Sequence, residues 1–307
     1  MIKKSLLILI SSFILLSCAD RVTAPTDIKL YGIDVSLPYE ELKQQIKEKL
    51  KLYFEKEGSY RVILTGTTRE YYYVNDSVEI ALKEALMEMY LKNITIDVDL
   101  RYINFINGTL PHDMFGFIDS EKYDYFSLFY NIIFPENKIT TIEELAFGAN
   151  LGIKKIVIPD SVTKIGQAAF YDCNRLEKIT LGKGIKRIDG EPFWPCDNLN
   201  EIDTSRCSSL EYIGTRICYK LPALTEFAMP ASVKEMDRFA FYDCPNLTTI
   251  IYYGDSPNNI KFLDKNIFDN CPVKNLIVPN AINPDDDGWK TFGNANFTYV
   301  GREKPKQ

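Results

Sequence analysis

The stretch Ile153–Cys173 decides the fold: it reads IKKIVIPDSVTKIGQAAFYDC and recurs in register along more than half of the chain. Successive copies are spaced by 24, 23, 23, 25, 23 and 26 residues. A unit of this length cannot bury its own apolar side chains, so the period predicts a solenoid in which each coil stacks on the next. The seven copies start at Phe129, Ile153, Leu176, Leu199, Leu224, Leu247 and Val273.

Apolar residues recur at relative positions 0, +3 and +5 of each copy, as in Ile153, Ile156 and Ile158. This alternation predicts a short strand with one face inward. Proline follows at +6 in four copies and ends the strand, because it has no N–H to donate to a ladder. The second half of the unit carries an Ala-Phe pair in a helical turn, as in Ala169 and Phe170.

Six cysteines lie within the repeats. Four of them share one inward position, where a thiol packs like a small apolar side chain. Neighbouring coils stack about 4.8 Å apart, so the spacing allows a disulfide between adjacent coils. We favour buried free thiols over this alternative. Cys207 and Cys218 lie in the degenerate Leu199 copy, where a bridge also stays open. The four equivalent cysteines are Cys173, Cys196, Cys244 and Cys271.

The repeats resemble those of BspA-type leucine-rich repeat proteins of bacterial surfaces. The shared pattern is L-x-x-I-x-I-P-x-S-V-x-x-I-G-x-x-A-F-x-x-C-x-x-L, best matched by residues 153–176 and 224–247. The resemblance covers roughly residues 91–300. It implies a right-handed, β-rich α/β leucine-rich repeat solenoid outside the cell, associated with adhesion or with binding of a host protein or glycan. The copies lack the asparagine ladder of eukaryotic leucine-rich repeats, so ligand modes of that branch are not carried over.

The N-terminus predicts an exported lipoprotein. Two lysines precede a short apolar segment, residues 5–16, which is too short to span a membrane. The following Leu15-Leu16-Ser17-Cys18 resembles a lipobox, so residues 1–17 are expected to be cleaved off and Cys18 to carry the lipid. Residues 18–35 are then a tether. An ordinary secretory signal with an incidental cysteine is the alternative.

Charge argues against nucleic acid as a partner. Removal of Lys3 and Lys4 from the 36 basic residues leaves 34 against 42 acidic ones, a net charge near −8. Affinity for nucleic acid rests on neutralising phosphates, and the chain has no Lys/Arg run to do so.

Residues 36–128 differ from the repeats and predict an N-terminal α/β cap with an insertion. A helix over Ser36–Lys56, a strand over Tyr60–Thr65, a helix to Lys92 and a strand over Ile94–Leu100 imply two parallel strands joined by a crossover helix. Leu91 counts as the start of a degenerate zeroth repeat. The solenoid then occupies residues 129–300, and Trp289, Phe292 and the strand Phe297–Val300 close its far end.

Aromatic residues are the candidate ligand contacts. The insertion 101–128 is rich in them, and it either packs the cap on the first repeat or binds. Three adjacent tyrosines cannot all point inward, and a tryptophan follows the Phe position of the Leu176 copy. Tyrosine and tryptophan combine an apolar body with a polar tip, which suits protein and sugar ligands; a structural role is the alternative. The candidates are Tyr71, Tyr72, Tyr73 and Trp194.

No catalytic or metal-binding motif emerges from the sequence. The single histidine, His112, has no evident metal partner, and Asn283–Gly288 begins like a calcium loop but has Asn294 where a bidentate glutamate is required. We therefore expect no cofactor and no enzymatic activity. The sequence favours a cell-surface or outer-membrane lipoprotein that binds a protein or glycan. The alternative is a structural lipoprotein that docks an outer-membrane protein complex.

The lipid prediction is testable in cells. Cys18→Ala should move the protein from the membrane fraction to the soluble fraction, since stable anchoring requires more than one acyl chain and Cys18 is the proposed carrier. Fractionation followed by immunoblotting measures this, with Cys207→Ala as the control. Retention of Cys18→Ala on membranes after a salt wash would contradict the lipoprotein assignment.

Overall fold

A computed structural model of the protein describes residues 25–91, 94–116 and 129–305. The predicted signal peptide 1–17, Cys18 and residues 117–128 of the predicted insertion lie outside the described residues. Among the described residues, no helix has both the length and the apolar character needed to cross a membrane.

The N-terminal unit alternates helices with strands. Strand β2 pairs in parallel with β1 on one side and with β3 on the other, and β3 pairs with the first strand of the repeats, β5. The parallel β2–β3 pair is the arrangement that the strand–helix–strand order predicts. The elements are α1 (Pro25–Tyr31), β1 (Gly32–Asp34), α2 (Tyr39–Glu57), β2 (Arg61–Thr67), α3 (Val78–Glu88), β3 (Thr95–Asn104) and β5 (Phe129–Ile133).

Two columns of parallel strands run through the repeats. The first column continues from β5 with β7 (Lys155–Val157), β9 (Lys178–Thr180), β11 (Glu201–Asp203), β13 (Glu226–Met229), β15 (Thr249–Tyr252), β17 (Asn275–Ile277) and β18 (Tyr299–Gly301). Its strands pair in three consecutive sheets, the first ending at β5, the second comprising β7, β9 and β11, and the third running from β13 to β18. The second consists of β4 (Thr109–Leu110), β6 (Thr141–Ile142), β8 (Lys164–Ile165), β10 (Arg187–Ile188), β12 (Tyr212–Ile213), β14 (Glu235–Met236) and β16 (Lys261–Phe262). The solenoid predicted from the period is therefore present. We number its coils 1 to 7 after the seven copies.

Coil 1 differs by one residue from its predicted register. Tyr130, and not Phe129, is the buried leading residue, and its N–H donates to the carbonyl of Gly152 at 3.0 Å. With Tyr130 at position 0, Ile139, Ile142 and Phe147 lie 23 residues before their counterparts in coil 2. The chemistry of Phe129 matched the pattern, but the hydrogen bonds fix Tyr130 there.

A nearly complete coil precedes coil 1, and we call it coil 0. Leu110 pairs with Ile142, and the ring of Phe115 stacks on that of Phe147 with centroids 5.5 Å apart. Ile96, and not Leu91, takes the leading position, because it pairs with Tyr130. The predicted insertion 101–128 is thus wrong for residues 101–116, which continue β3 and supply the second strand and Phe of coil 0.

A column of stacked phenylalanines forms the centre of the core. Adjacent rings have centroids 5.0–5.8 Å apart and exposures near zero, and Cys218 interrupts the column in coil 4. Each ring is covered by the rings of the neighbouring coils, which is the burial that one coil alone cannot achieve. The column comprises Phe115, Phe147, Phe170, Phe193, Phe241 and Phe268.

Three residues beyond Phe147, Phe170 and Phe193, a buried side chain links its coil to the preceding one. The thiol of Cys173 donates to the carbonyl of Phe147 at 3.0 Å, and that of Cys196 donates to Phe170 at 3.1 Å. Asn150 has the same role in coil 1, because its amide donates to the carbonyl of Phe115 at 3.0 Å. All six cysteines of the repeats are free, so the equivalent thiols act as hydrogen-bond donors.

The turn around each phenylalanine is closed by residues in the left-handed region. Positions +15 and +19 have φ between 51° and 60° although none of them is glycine. Hydrogen bonds from this turn to the next coil, such as Phe170 N–H to Pro192 O at 2.8 Å, hold it in place. Counted without the two extra residues of coil 4, the +15 residues of coils 1–5 are Leu145, Ala168, Glu191, Arg216 and Phe239; at +19 the conformation occurs in Ala149, Asp172, Lys220 and Asp243.

The N-terminal unit is tied to coil 1 by a buried polar network. Glu79 of α3 is fully buried and accepts a hydrogen bond from the Tyr130 hydroxyl, which also contacts the Asn150 amide. Lys83 lies 3.1 Å from Glu79 and neutralises its charge. Burial and the adjacent Glu79 carboxylate raise the pKa of Tyr130, so the hydroxyl stays a donor. This network fixes α3 against the first coil.

The N-terminal unit begins earlier than predicted. Strand β1 lies inside the stretch 18–35 assigned to the tether, and Ile33 and Val35 are fully buried, so the folded unit begins before residue 36. At the end of α2, Phe54 is 44% exposed while Tyr53 is buried.

At the far end, the buried Trp289 packs against Tyr252 and Phe292. The predicted closing strand is β18, which pairs with β17. The Asn283 carbonyl accepts from the Trp289 indole N–H at 2.9 Å, and the Asp286 carboxylate caps a short 3-10 helix through the Gly288 N–H. The oxygen-rich loop is therefore the turn that inserts Trp289 into the end of the core.

The phenylalanine column predicts a stability difference. Phe170→Ala should lower the free energy of unfolding by about 3–5 kcal/mol, because a ring buried between two coils leaves a cavity. Phe54→Ala is the matched control and should cost at most about 1.5 kcal/mol, since its ring is exposed and stacks only on Tyr60. Urea unfolding followed by circular dichroism measures both, and equal losses would contradict the proposed core.

Candidate functional site

The three adjacent tyrosines divide into one core residue and two surface residues. Tyr72 is fully buried, its hydroxyl donates to the carbonyl of Val35 at 3.5 Å, and the Arg69 guanidinium lies 5.2 Å from its ring. Burial raises the pKa of Tyr72. The candidacy of Tyr72 as a ligand contact is therefore wrong, because its ring seals the N-terminal unit.

Tyr71 and Tyr73 form a small aromatic platform. They are 46% and 70% exposed, and their rings meet edge to face at 5.0 Å. Tyr71 also stacks on His112 with centroids 4.4 Å apart, and His112 lies 3.1 Å from the Asp113 carboxylate. The histidine is thus held by an aromatic ring and a carboxylate on the turn of coil 0, and sequence reasoning missed this contact because residues 71 and 112 are distant in the chain.

Trp194 belongs to a larger surface feature that sequence reasoning did not detect. One position after the column residue, which is Cys218 in coil 4 and phenylalanine in coils 2, 3 and 5, four successive coils each carry a partly exposed aromatic residue. The ring centroids lie 5.4, 5.3 and 5.7 Å apart along this series. We call it the aromatic ladder; it comprises Tyr171, Trp194, Tyr219 and Tyr242. The signal was available in the sequence, because all four follow the core position of their coil.

Cationic side chains border the ladder. The Arg216 guanidinium lies 5.1 Å from the ring of Tyr219 and 5.7 Å from that of Phe239, and its Nη1 lies 2.5 Å from Glu191 Oε1. Lys220 lies 5.3 Å from the ring of Tyr219. These contacts border the ring of Tyr219 with two cations, of which Arg216 is paired with Glu191.

The rings of the ladder contact one another at an angle. Neighbouring rings are inclined by 71°, 38° and 42°, and Trp194 contacts a tyrosine of each neighbouring coil. All four rings are partly exposed. Such residues combine an apolar body with a polar tip, a combination common at protein-binding surfaces.

The ladder lies on the turn around the column residues, positions +14 to +20, which we call the turn face; Trp194 occupies +18 of coil 3. The Tyr71–Tyr73 platform borders this face, because Tyr71 stacks on His112, which lies three residues before Phe115 in coil 0. Three of the four candidate aromatics thus lie on the turn face or beside it. Among residues 25–91, 94–116 and 129–305, no group of three acidic, histidine or cysteine side chains could hold a metal ion.

The opposite strand face is mixed in charge. A cleft of about 870 Å³ with an exposed Val157 lies over coils 1–4, where Arg206 pairs with Asp160 at 2.8 Å. A second cleft of about 450 Å³ over coils 4–6 contains Glu226, which pairs with Lys304 at 2.7 Å. Ion pairs between coils thus engage charges of both clefts.

Stacked parallel coils with a phenylalanine column define the protein as a leucine-rich repeat protein. More narrowly, it belongs to the family described as BspA type leucine rich repeat region, whose model matches six copies over residues 117–248 and 211–298. No curated protein sequence matches the chain significantly.

Solved structures of bacterial leucine-rich repeat proteins are similar to the chain. The T. pallidum leucine rich repeat protein TpLRR is 26% identical, with 54% of this chain and 64% of that one covered and a TM-score of 0.37. This chain thus spans less than two thirds of that relative. A protein from Bacteroides ovatus is 19% identical, with 69% of each chain covered and a TM-score of 0.37. A leucine rich cell surface protein from Faecalibacterium prausnitzii is 14% identical, covering 70% and 68%, with a TM-score of 0.35.

The division of the tyrosines gives a direct test. Tyr72→Ala should lower the free energy of unfolding by about 3–5 kcal/mol, as expected for a large ring removed from a core. Tyr73→Ala should change it by less than about 0.5 kcal/mol, because its ring is mostly in water. Chemical denaturation of both variants measures the difference; a large loss for Tyr73→Ala would show that the platform is structural.

Proposed function

We propose that the protein is a non-catalytic, lipid-anchored cell-surface binding protein that recognises a protein ligand through its turn face. The observation that carries this proposal is the aromatic ladder, four partly exposed rings held side by side on consecutive coils. Membership of a family of bacterial surface repeats agrees with it. Export and anchoring rest on the Cys18 lipobox.

Rigidity supports recognition by this face. The backbone beneath the rings is hydrogen-bonded from coil to coil, as in Asp172 N–H to Trp194 O at 3.2 Å and Lys220 N–H to Tyr242 O at 3.0 Å. Little conformational entropy is lost when a preformed surface of this kind binds. Aromatic side chains and arginine are also the residues that contribute most at protein interfaces.

A protein ligand is favoured over a glycan because the rings of the ladder pack on one another and are bordered by Arg216, a combination enriched at protein interfaces. The ring of Tyr73, beside the turn face, is 70% exposed and offers more room for stacking on a sugar. If the array experiment instead finds a glycan, we expect it to bind only at Tyr71 and Tyr73. Docking to an outer-membrane protein complex is the other outcome that the experiment separates.

The test uses the full chain carrying Cys18→Ala, applied to arrays of host and matrix proteins, arrays of glycans and extracted outer-membrane proteins. Trp194→Ala together with Tyr219→Ala should weaken the protein ligand found by roughly 10- to 1000-fold, in the range of about 1–4 kcal/mol. Tyr253→Ala is the control, since Tyr253 is an exposed tyrosine on the strand face.

Melting temperature is recorded for each variant, and affinity is expressed per folded molecule by a parallel circular dichroism measurement. The proposal fails if affinity per folded molecule stays unchanged in the double variant, or if Tyr253→Ala loses as much. If the protein binds only glycans, or only outer-membrane proteins, the proposed ligand class is wrong and the class found takes its place.

A further inference from the structure

The cysteines three residues after a column phenylalanine form two pairs on adjacent coils, and the two pairs differ in their surroundings. Cys173 and Cys196 are 1% and 0% exposed, whereas in the second pair Cys244 is buried and Cys271 is partly exposed. Both thiols of each pair donate to a main-chain carbonyl of the preceding coil, so the pairs share one backbone arrangement. The difference lies in access and in the groups around Cys271.

The sulfur of Cys271 lies directly against Cys244. The backbone N–H of Cys244 donates to Cys271 Sγ at 3.3 Å, while the Cys271 thiol donates to the carbonyl of Phe241 at 2.7 Å. The turns of the two coils are joined by Asp243 N–H to Asp269 O at 2.9 Å. Parallel neighbours about 4.8 Å apart fall within the Cα separations of roughly 4.4–6.8 Å at which disulfides form.

The electrostatics of the two thiols are opposite. Hydrogen bonds from Cys244 lower the pKa of Cys271, although burial and the carboxylates of Asp243 and Asp269 raise it. The hydrogen bond to Cys271 and burial raise the pKa of Cys244 strongly. In the reference pair, burial raises the pKa of Cys196 well above its usual range. Thiolate character and access select the cysteine that reacts, and both favour Cys271.

We propose that Cys271 is a site of oxidation by hydroperoxides and that Cys244 is its resolving partner, so that oxidation joins coils 5 and 6 through a disulfide. The Cys271 thiolate attacks the terminal oxygen of the hydroperoxide; an S–O bond forms, the O–O bond breaks, and the alkoxide leaves and takes up a proton. The sulfur is oxidised to a sulfenic acid and the hydroperoxide is reduced to an alcohol, or to water from hydrogen peroxide.

Resolution follows across the coil boundary. The Cys244 sulfur attacks the Cys271 sulfur, an S–S bond forms, and the hydroxide of the sulfenic acid leaves as water with the Cys244 proton. Two thiols and one hydroperoxide thus give one disulfide, one alcohol and one water. The bond would join neighbouring coils close to the C-terminal end of the solenoid. These coils follow coil 4, in which Cys218 interrupts the phenylalanine column.

The experiment treats the mature lipoprotein in detergent with hydrogen peroxide, then blocks remaining thiols and maps the products by peptide mass spectrometry. The wild type should give a linked Cys244–Cys271 peptide. Cys244→Ser should instead give a dimedone adduct on Cys271, and Cys271→Ser should give neither product. Cys173 and Cys196 are the internal control and should react at least about tenfold more slowly than Cys271.

As a control, the same thiol labelling is carried out in urea, where all cysteines are exposed. Labelling of every cysteine there shows that each thiol is free and that its peptide is detected. Circular dichroism shows that the serine variants are folded. The proposal is overturned if Cys271 stays unmodified in the folded protein, if the buried pair reacts as fast, or if Cys271 is oxidised without the Cys244 link in the wild type. Each outcome is independent of the ligand proposed for the turn face.

Discussion

The structure depends on one constraint: the flat ends of every coil are apolar and must be covered by the coils on either side. The phenylalanine column shows it most clearly, since the ring of Phe170 stacks between Phe147 and Phe193 of the two neighbouring coils. Many main-chain donors and the thiols of Cys173, Cys196 and Cys244 follow the same rule, because carbonyl groups of an adjacent coil accept from them. The ends therefore require special units, the N-terminal sheet with α3 on one side and Trp289 with β18 on the other.

The period, the strand positions and the inward phenylalanines could be predicted because they recur and because apolar chemistry repeats with them. The register of coil 1 could not, since Phe129 and Tyr130 are both aromatic and only the hydrogen bond from Tyr130 to Gly152 distinguishes them. Coil 0 was hidden for a related reason. Its Leu110 and Phe115 are separated from coil 1 by additional chain, so the fixed spacing that reveals the other coils is lost.

The candidate site was predicted in part. Sequence reasoning placed an exposed aromatic at Trp194 and at least one in Tyr71–Tyr73, and the structure gives partial or substantial exposure to three of the four. It could not separate Tyr72 from its neighbours, because the loop has no periodicity to assign an inward side. It also treated Trp194 singly, whereas the ring is one member of a ladder formed by stacking in space. The burial of Tyr72 and the stacking of Trp194 both depend on contacts between residues that are distant in the chain.

The left-handed residues that close each turn have a consequence for what the surface can encode. A turn of this shape built with glycine would be easier to form, since a non-glycine residue in this region is disfavoured. A glycine turn would also present no side chains at these positions. By using residues such as Arg216, Phe239 and Lys220 at these positions, the chain places extra side chains beside the aromatic ladder without changing the backbone. Each coil can therefore vary the side chains at these turn positions. New binding specificities can arise by substitution there, while the stacking of the coils stays unchanged.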